Sequence, residues 1–120
     1  KFIEDTGADL LAPAVGNVHG IVGVSGNPRL SIRRIGEIRE KCGVPIVLHG
    51  ASGVPPEDVR SAVKAGAVIV HFSTDLRLAF RKALGTSLSA FQEELSPYKY
   101  MREPIKAVKE VVVTRLSWLA

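Results

Sequence analysis

Short apolar runs alternate with amphipathic segments along this chain, and this alternation restricts its fold more than any other feature. The apolar runs predict buried strands at 9–15, 44–48 and 67–72. The third run is β-branched and uninterrupted, as expected of a parallel strand that is covered on both faces. The amphipathic segments predict helices at 30–41, 55–65, 76–84 and about 104–119. Because strands and helices alternate, we expect an α/β fold with a parallel sheet and right-handed crossovers.

Glycine, proline and small polar residues mark the ends of these predicted elements and the loops between them. Residues 1–5 read as a helix that Gly7 ends. Pro13 marks a bulge or a strand end within the first apolar run. Residues 20–28 are rich in Gly, Ser, Asn and Pro and predict a loop, after which Ser31 is positioned to cap the next helix. Residues 96–103 predict an irregular segment.

Composition narrows the class of protein. The 120 residues suffice for one ordinary domain. The net charge is +4, but the basic residues are interleaved with acids at helical spacing, which favours solvated helix faces over a nucleic-acid-binding stripe. Cys42 is the single cysteine, so no intrachain disulfide can form. No apolar stretch reaches the ~18 residues of a membrane span. We therefore expect a cytoplasmic protein without nucleic-acid or membrane partners.

Histidines follow all three predicted strands. His19 and His49 come about one residue after the first and second strands, and His71 lies at the end of the third. A lone histidine at a strand end is more often structural than a ligand. Neutral imidazole is nevertheless the commonest protein ligand of zinc, and a catalytic zinc site needs about three protein ligands. The pair His19 and His49 is therefore a candidate metal site.

Small residues follow the second and third strands. In the loop 50–53 (GASG) they allow backbone N–H groups to approach an anion, and Ser52 adds a hydroxyl. By itself this loop could be a plain strand-to-helix turn. Ser73 and Thr74 follow the third strand at a predicted helix start, and adjacent loops of this kind can share one phosphate. Together the two loops predict a phosphate site.

Three segments resemble the C-terminal half of the class II ketose-bisphosphate aldolases, the zinc-dependent fructose- and tagatose-bisphosphate enzymes. They are 16–20 (GNVHG), 44–55 (VPIVLHGASGVP) and 70–76 (VHFSTDL). The similarity extends over the full chain, including the residues 98–101 (YKYM) and the last helix.

The resemblance implies a TIM (β/α)8 barrel. Residues 1–120 would form a single partial domain with about three βα units, strands six to eight, and without the N-terminal half. The implied cofactor is zinc, with His19 and His49 as two of its three ligands, and the resemblance allows a monovalent cation beside it. The implied binding residues for the phosphate of dihydroxyacetone phosphate are Gly20, Gly50, Ala51, Ser52, Ser73 and Thr74.

The reaction that the resemblance implies is the reversible cleavage of a ketose bisphosphate into dihydroxyacetone phosphate and an aldehyde phosphate. This is a lyase reaction of glycolysis and carbohydrate metabolism, in which zinc acts as a Lewis acid. In the family, the third zinc histidine and the aspartate that acts as general acid and base come from an early strand. This chain has no such segment, so we expect no catalytic residue within it and no activity of the fragment alone.

At two positions the match to the family pattern is incomplete or only approximate. His71 stands where the family usually has an asparagine that helps to hold the substrate. Histidine there could donate a hydrogen bond, become a metal ligand or inactivate the site. Arg102 lies near the place of a basic residue that binds the distal phosphate, in some members for a neighbouring subunit.

Two other classes of function remain open for this sequence. One is a non-catalytic module that binds a phosphate ligand, which the His71 departure slightly favours. The other is a structural or interaction fragment, because three parallel strands leave open sheet edges that must be covered. Such a chain would form a homo-oligomer or pair with a complementary N-terminal half.

Overall fold

The computed structural model describes residues 1–20 and 29–119, so the predicted loop beyond Gly20, at 21–28, lies outside the described residues. The elements are α1 (Phe2–Thr6), α2 (Ile32–Cys42), β1 (Ile46–Leu48), α3 (Pro56–Lys64), β2 (Ala67–Val70), α4 (Thr74–Ala90), α5 (Pro97–Tyr100) and α6 (Arg102–Leu116). A short 3-10 turn, Ala51–Gly53, connects β1 to α3. The α/β alternation predicted from the sequence is confirmed in this part of the chain.

The two strands are parallel neighbours, with Ile46 opposite Ala67 and Leu48 opposite Val70. The predicted strand at 9–15 was wrong in extent. Only Leu11 pairs with β1, in a single parallel bridge in which its N–H donates to Pro45 O at 3.0 Å. Pro13 has no N–H to donate, so the ladder cannot continue past it in regular form. The described residues thus contain two strands and one bridge instead of three strands.

The expectation that β2 is covered on both faces was also wrong for this chain. Val68 is 59% exposed and Ile69 is 36% exposed, whereas all three residues of β1 are buried. β1 lies between Leu11 and β2, so β2 is the outer strand of the sheet described here. The side chains of Val68 and Ile69 therefore remain exposed, and one hydrogen-bonding edge of β2 has no strand partner among the described residues.

Helix termini follow the local sequence in most cases. Gly7 and Gly43 end α1 and α2 in the left-handed conformation, as glycine readily does. Pro56 occupies the first turn of α3, where a missing N–H costs nothing. Ser31 precedes α2, but its side chain makes no capping hydrogen bond, so that expectation was wrong.

The core lies between the sheet and the two helices α2 and α3. Ile35 of α2 and Val59 of α3 are fully buried against Ile46 and Leu48 of β1. Asp58 of α3 accepts hydrogen bonds from Leu30 N and from the Arg29 guanidinium, which closes one side of this core. This packing fixes β1, and with it the residues that follow the strand.

The last third of the chain forms a helical hairpin. α4 is longer than the predicted helix, and α6 packs along it. The segment predicted to be irregular contains α5, whose Tyr100 carbonyl accepts a hydrogen bond from Ser87 of α4 at 2.6 Å. Within the described ranges, no helix combines the length and apolar character that a membrane crossing requires.

Candidate functional site

The candidate site lies where β1 and β2 end. His49 directly follows β1 and His71 directly follows β2, so the parallel pairing brings the two residues side by side. The backbone continues the ladder around them, because His71 N donates to Leu48 O at 2.9 Å and Ala51 N donates to His71 O at 3.2 Å. Two histidines that are 22 residues apart in sequence thus meet at one edge of the sheet.

His19 reaches the same edge from a loop that is fastened to the loop of His49. Asn17 accepts a hydrogen bond from Val15 N at 2.8 Å and donates one to His49 O at 3.1 Å. Gly50 permits the close approach, since a Cβ atom there would lie 2.7 Å from Val18 O and 3.1 Å from the His19 ring. Gly50 also has a positive φ of 69°, which glycine adopts without strain.

The ring of His49 lies near the rings of both His19 and His71. The ring centroids of His19 and His49 are 5.7 Å apart, and those of His49 and His71 are 4.5 Å apart. Two imidazoles bound to one tetrahedral zinc place their centroids about 5 Å apart. The chemistry and spacing of His19 and His49 therefore fit a zinc ion. In residues 1–20 and 29–119, however, no three His, Cys, Asp or Glu side chains already form a group that could hold a metal.

The two predicted phosphate loops are joined by a hydrogen-bond network around Asp75. Ser52 Oγ donates to Asp75 Oδ1 at 2.7 Å and accepts from Ser73 N at 3.0 Å. Asp75 Oδ1 also accepts from Leu76 N at 3.0 Å. The hydroxyl hydrogen of Ser52 is therefore directed to Asp75 in this structure, and Ser52 connects the loop after β1 to the loop after β2.

Asp75 is held from its other side by α6. Arg115 Nε donates to Asp75 Oδ2 at 2.5 Å, and both side chains are largely withdrawn from solvent. The guanidinium of Arg115 lies 3.9 Å from the centroid of the Trp118 ring and 5.6 Å from that of Phe72. Stacking and charge pairing together hold the end of α6 against the start of α4.

The remaining predicted anion ligands lie around this network. Ala51 is buried, and its N–H is used in the ladder to His71. Gly20 follows His19 with a φ of 99°. Thr74 begins α4, a helix of 17 residues whose first N–H groups lack intrahelical partners and carry the positive end of the helix dipole. Gly20, Gly50, Ala51, Ser52, Ser73 and Thr74 thus lie on three loops that border the histidines.

Arg102 does not join this group. It begins α6 directly after the turn in which Tyr100 contacts Ser87 of α4. Ser87 lies 13 residues after Thr74, which corresponds to about 20 Å along a helix. Arg102 therefore lies toward the opposite end of α4 from the histidines.

Asp75, Arg115 and Asn17 take part in the site, although the sequence reasoning gave none of them a role there. Asp75 follows Ser73 and Thr74 at the predicted helix start, and Arg115 lies in the predicted last helix. A signal was present for Asn17, which stands beside glycine in the motif that carries His19. The pairing of Asp75 with Arg115 spans 40 residues, and no local pattern predicts it.

The fold is that of an α/β protein, and its candidate site lies at the carboxyl edge of parallel strands, a position where such folds bind substrates. The family named Fructose-bisphosphate aldolase class-II matches residues 1–120. The chain therefore belongs to the class II fructose-bisphosphate aldolase family, whose members are lyases of carbohydrate metabolism.

Solved structures agree with this assignment. The YdjI aldolase from Escherichia coli K12 has 30% sequence identity and a TM-score of 0.74, with 99% of this chain and 41% of that chain covered. A candidate fructose-1,6-biphosphate aldolase from Coccidioides immitis has 27% identity and a TM-score of 0.76, with coverages of 97% and 39%. The fructose-bisphosphate aldolase (Fba) from Campylobacter jejuni shares the fold at 20% identity and a TM-score of 0.68, with coverages of 90% and 39%. The chain thus spans about two-fifths of the length of these structures.

Proposed function

We propose that this chain forms the metal- and phosphate-binding part of a class II aldolase that cleaves a ketose bisphosphate, of the fructose or tagatose type. The observation that carries the proposal is the meeting of His19 and His49 beside the linked loops of Ser52 and Ser73. In this proposal the segment around Leu11, β1 and β2 are strands six, seven and eight of a (β/α)8 barrel. Barrel enzymes frequently bind phosphate with the loops after strands seven and eight.

The histidines have the metal-binding role in this proposal. His19 and His49 hold zinc through neutral ring nitrogens, and Asn17 fixes the relative position of their two loops. A zinc ion held by these residues would supply Lewis-acid polarisation of a carbonyl oxygen of the substrate. We assign the transfer of protons to a part of the enzyme outside these 120 residues, so this chain binds and orients the dihydroxyacetone phosphate half.

The phosphate is bound in this proposal by backbone and hydroxyl groups of the three loops. Thr74 offers its N–H at the positive end of α4 and a hydroxyl that makes no hydrogen bond among the described residues. Ser52 acts mainly by holding the loop of Ser73 in place, because its own hydrogen is donated to Asp75. Arg102, distant from the histidines, serves the distal phosphate of a neighbouring subunit in an oligomer.

The location that we propose for the enzyme is the cytoplasm. The single cysteine of the chain, Cys42, is consistent with this reducing compartment.

Calorimetric titration of the chain with dihydroxyacetone phosphate tests the binding role. We expect binding that requires zinc, disappears with a chelator and is lost in His49→Ala. Cys42→Ser is the matched control, because it removes another possible metal ligand that lies on α2 outside the group of histidines. Binding that persists unchanged in chelator would contradict the proposal and favour a non-catalytic phosphate-binding module.

Activity is tested by adding the missing part of the barrel. The chain is mixed with the N-terminal half of a family member, and cleavage of fructose and tagatose bisphosphates is followed. We expect cleavage by the mixture with at least one of the two sugars and none by the chain alone. If the assembled barrel cleaves neither sugar, the enzymatic part of the proposal is refuted.

A further inference from the structure

We propose that His71 is a metal ligand, which forms a two-nitrogen chelating edge with His49 at the ends of β1 and β2. The inference rests on the metal site proposed above and adds a residue to it.

The backbone holds the two residues in adjacent positions. His49 and His71 continue the register that pairs Leu48 with Val70. The hydrogen bonds from His71 N to Leu48 O and from Ala51 N to His71 O bracket this pair. Neighbouring parallel strands lie about 4.8 Å apart, and residues paired in this way direct their side chains to the same side of the sheet. The proximity of the two rings therefore follows from the ladder.

The distance between the two ring nitrogens matches metal chelation better than a direct hydrogen bond. His71 Nδ1 and His49 Nδ1 are 3.4 Å apart. Hydrogen bonds donated by N–H groups are usually 2.7–3.2 Å long. Two nitrogens bound to one tetrahedral zinc at about 2.0–2.1 Å are separated by about 3.3–3.4 Å. The pair thus already has the length of one edge of a zinc tetrahedron.

Both rings are free to bind an ion. Among the described residues, neither ring makes a hydrogen bond other than this mutual contact. His71 is exposed and His49 is half-buried, so an ion can enter from solvent. His19 provides a third imidazole, with its centroid 5.7 Å from that of His49. Imidazole ligands favour zinc, cobalt or nickel over magnesium or calcium, which prefer oxygen ligands.

Competition titration with a chromophoric chelator measures the zinc affinity of the chain and of three variants. We expect His71→Asn to weaken zinc binding by at least about 10–100-fold. This is the loss that follows when a residue that only hydrogen-bonds a metal ligand is removed. His49→Ala is expected to weaken it further, and Cys42→Ser to leave it unchanged. Absorption spectra of the Co²⁺-loaded chain provide a second measurement, since replacing a nitrogen ligand changes the ligand-field bands.

Thermal unfolding of the metal-free proteins is the control that shows whether a substitution affects folding. Because His71 is exposed, His71→Asn is expected to leave the metal-free midpoint unchanged. Equal zinc affinities and identical cobalt spectra for the wild type and His71→Asn would overturn the inference. If His49→Ala still abolishes binding in that case, the proposed function survives without His71. If no histidine variant affects zinc binding, both the inference and the metal site of the proposed function are refuted.

Discussion

Gly50 stands where the loops of His19 and His49 come closest. We predict that Gly50→Ala destabilises the chain by about 1–3 kcal/mol, because it forces a residue with a Cβ into a left-handed conformation. The new Cβ would also lie 2.7 Å from Val18 O and push the His19 loop away. Urea unfolding measures the free energy, and zinc titration measures the expected loss of affinity.

A second glycine provides the matched control for this substitution. Gly36 lies inside α2, with no positive φ and nothing within 4 Å of an added Cβ. We expect Gly36→Ala to stabilise the chain by up to about 1 kcal/mol, since alanine is the better helix former. If both variants have the same stability and zinc affinity as the wild type, the close approach at Gly50 does not position the histidines.

Local patterns predicted the histidines and small residues of the candidate site, because they follow apolar runs in the sequence. The role of Asp75 could not be predicted in this way. Its partners Ser52 and Arg115 lie 23 residues before it and 40 residues after it, and only the packing of α6 on α4 brings them together.

The contact between α4 and α6 depends on the buried pair of Asp75 and Arg115. A double-mutant cycle with Asp75→Asn and Arg115→Met measures how strongly the two side chains are coupled. We predict a coupling of about 0.5–3 kcal/mol, as found for residues in direct contact within one network. Each single variant should be destabilised, because it leaves a polar partner without its counterpart. Additive effects in urea unfolding would show that the pair does not couple the helices.

Asp58 links α3 to the segment before α2 and makes this contact sensitive to pH. Hydrogen bonding from Arg29 lowers the pKa of Asp58 below its ordinary value of 3.8, against an opposing effect of burial. Because the folded state binds the proton less readily than the unfolded state, the stabilisation is full above about pH 3.8. It is lost as the pH falls through the lowered pKa.

We therefore predict that the free energy of unfolding of the wild type decreases below about pH 3.8. The free energy of unfolding of Asp58→Asn should decrease less steeply over the same range. Urea unfolding between about pH 2 and pH 7, a range that extends below the ordinary pKa of the carboxyl group, measures both slopes. Equal slopes for the two proteins would contradict a stabilising carboxylate at position 58. Lys99 similarly lowers the pKa of Glu94 to about 2, with further contributions from Ser96. The same measurement on Glu94→Gln shows how much a second carboxylate with a lowered pKa contributes to the pH dependence of the free energy of unfolding.

Most elements followed from periodicity, since α2, α3 and both strands lie within or near their predicted ranges. The exceptions have physical causes. Pro13 limits the first predicted strand to a bridge at Leu11, where sheet pairing depends on a distant partner. α4 extends beyond its predicted end because α6 packs along it, a contact that no local pattern contains.

The whole molecule is elongated, with extents of 60 × 32 × 25 Å and a radius of gyration of 18.1 Å. A compact chain of 120 residues would have a radius of gyration of about 14 Å. Large apolar side chains remain exposed on the outer strand and on the helical hairpin, among them Val68, Ile69, Leu78, Val113 and Leu116. A (β/α)8 barrel would bury surfaces of this kind. Because these side chains are exposed in this chain, its core is small.

We predict that the chain associates in solution, either with itself or with the complementary half of a barrel. Sedimentation velocity over a range of concentrations should show species larger than the 12.9 kDa monomer. Val68→Lys should reduce this association, because a charge on an outer strand opposes strand pairing. Arg60→Lys, on the exposed side of α3, is the control and should have no effect. A monodisperse, stable monomer at all concentrations would contradict the prediction.

The proposed function requires that His19 and His49 bind zinc at the carboxyl edge of the parallel strands. The most direct test is the zinc stoichiometry of the purified chain and of the variant His19→Ala/His49→Ala, measured after equilibrium dialysis. We predict one zinc per wild-type chain and a loss of more than about 100-fold in affinity in the variant, beyond the cost of removing a residue that only hydrogen-bonds a metal ligand. Equal zinc binding by the two proteins would contradict it.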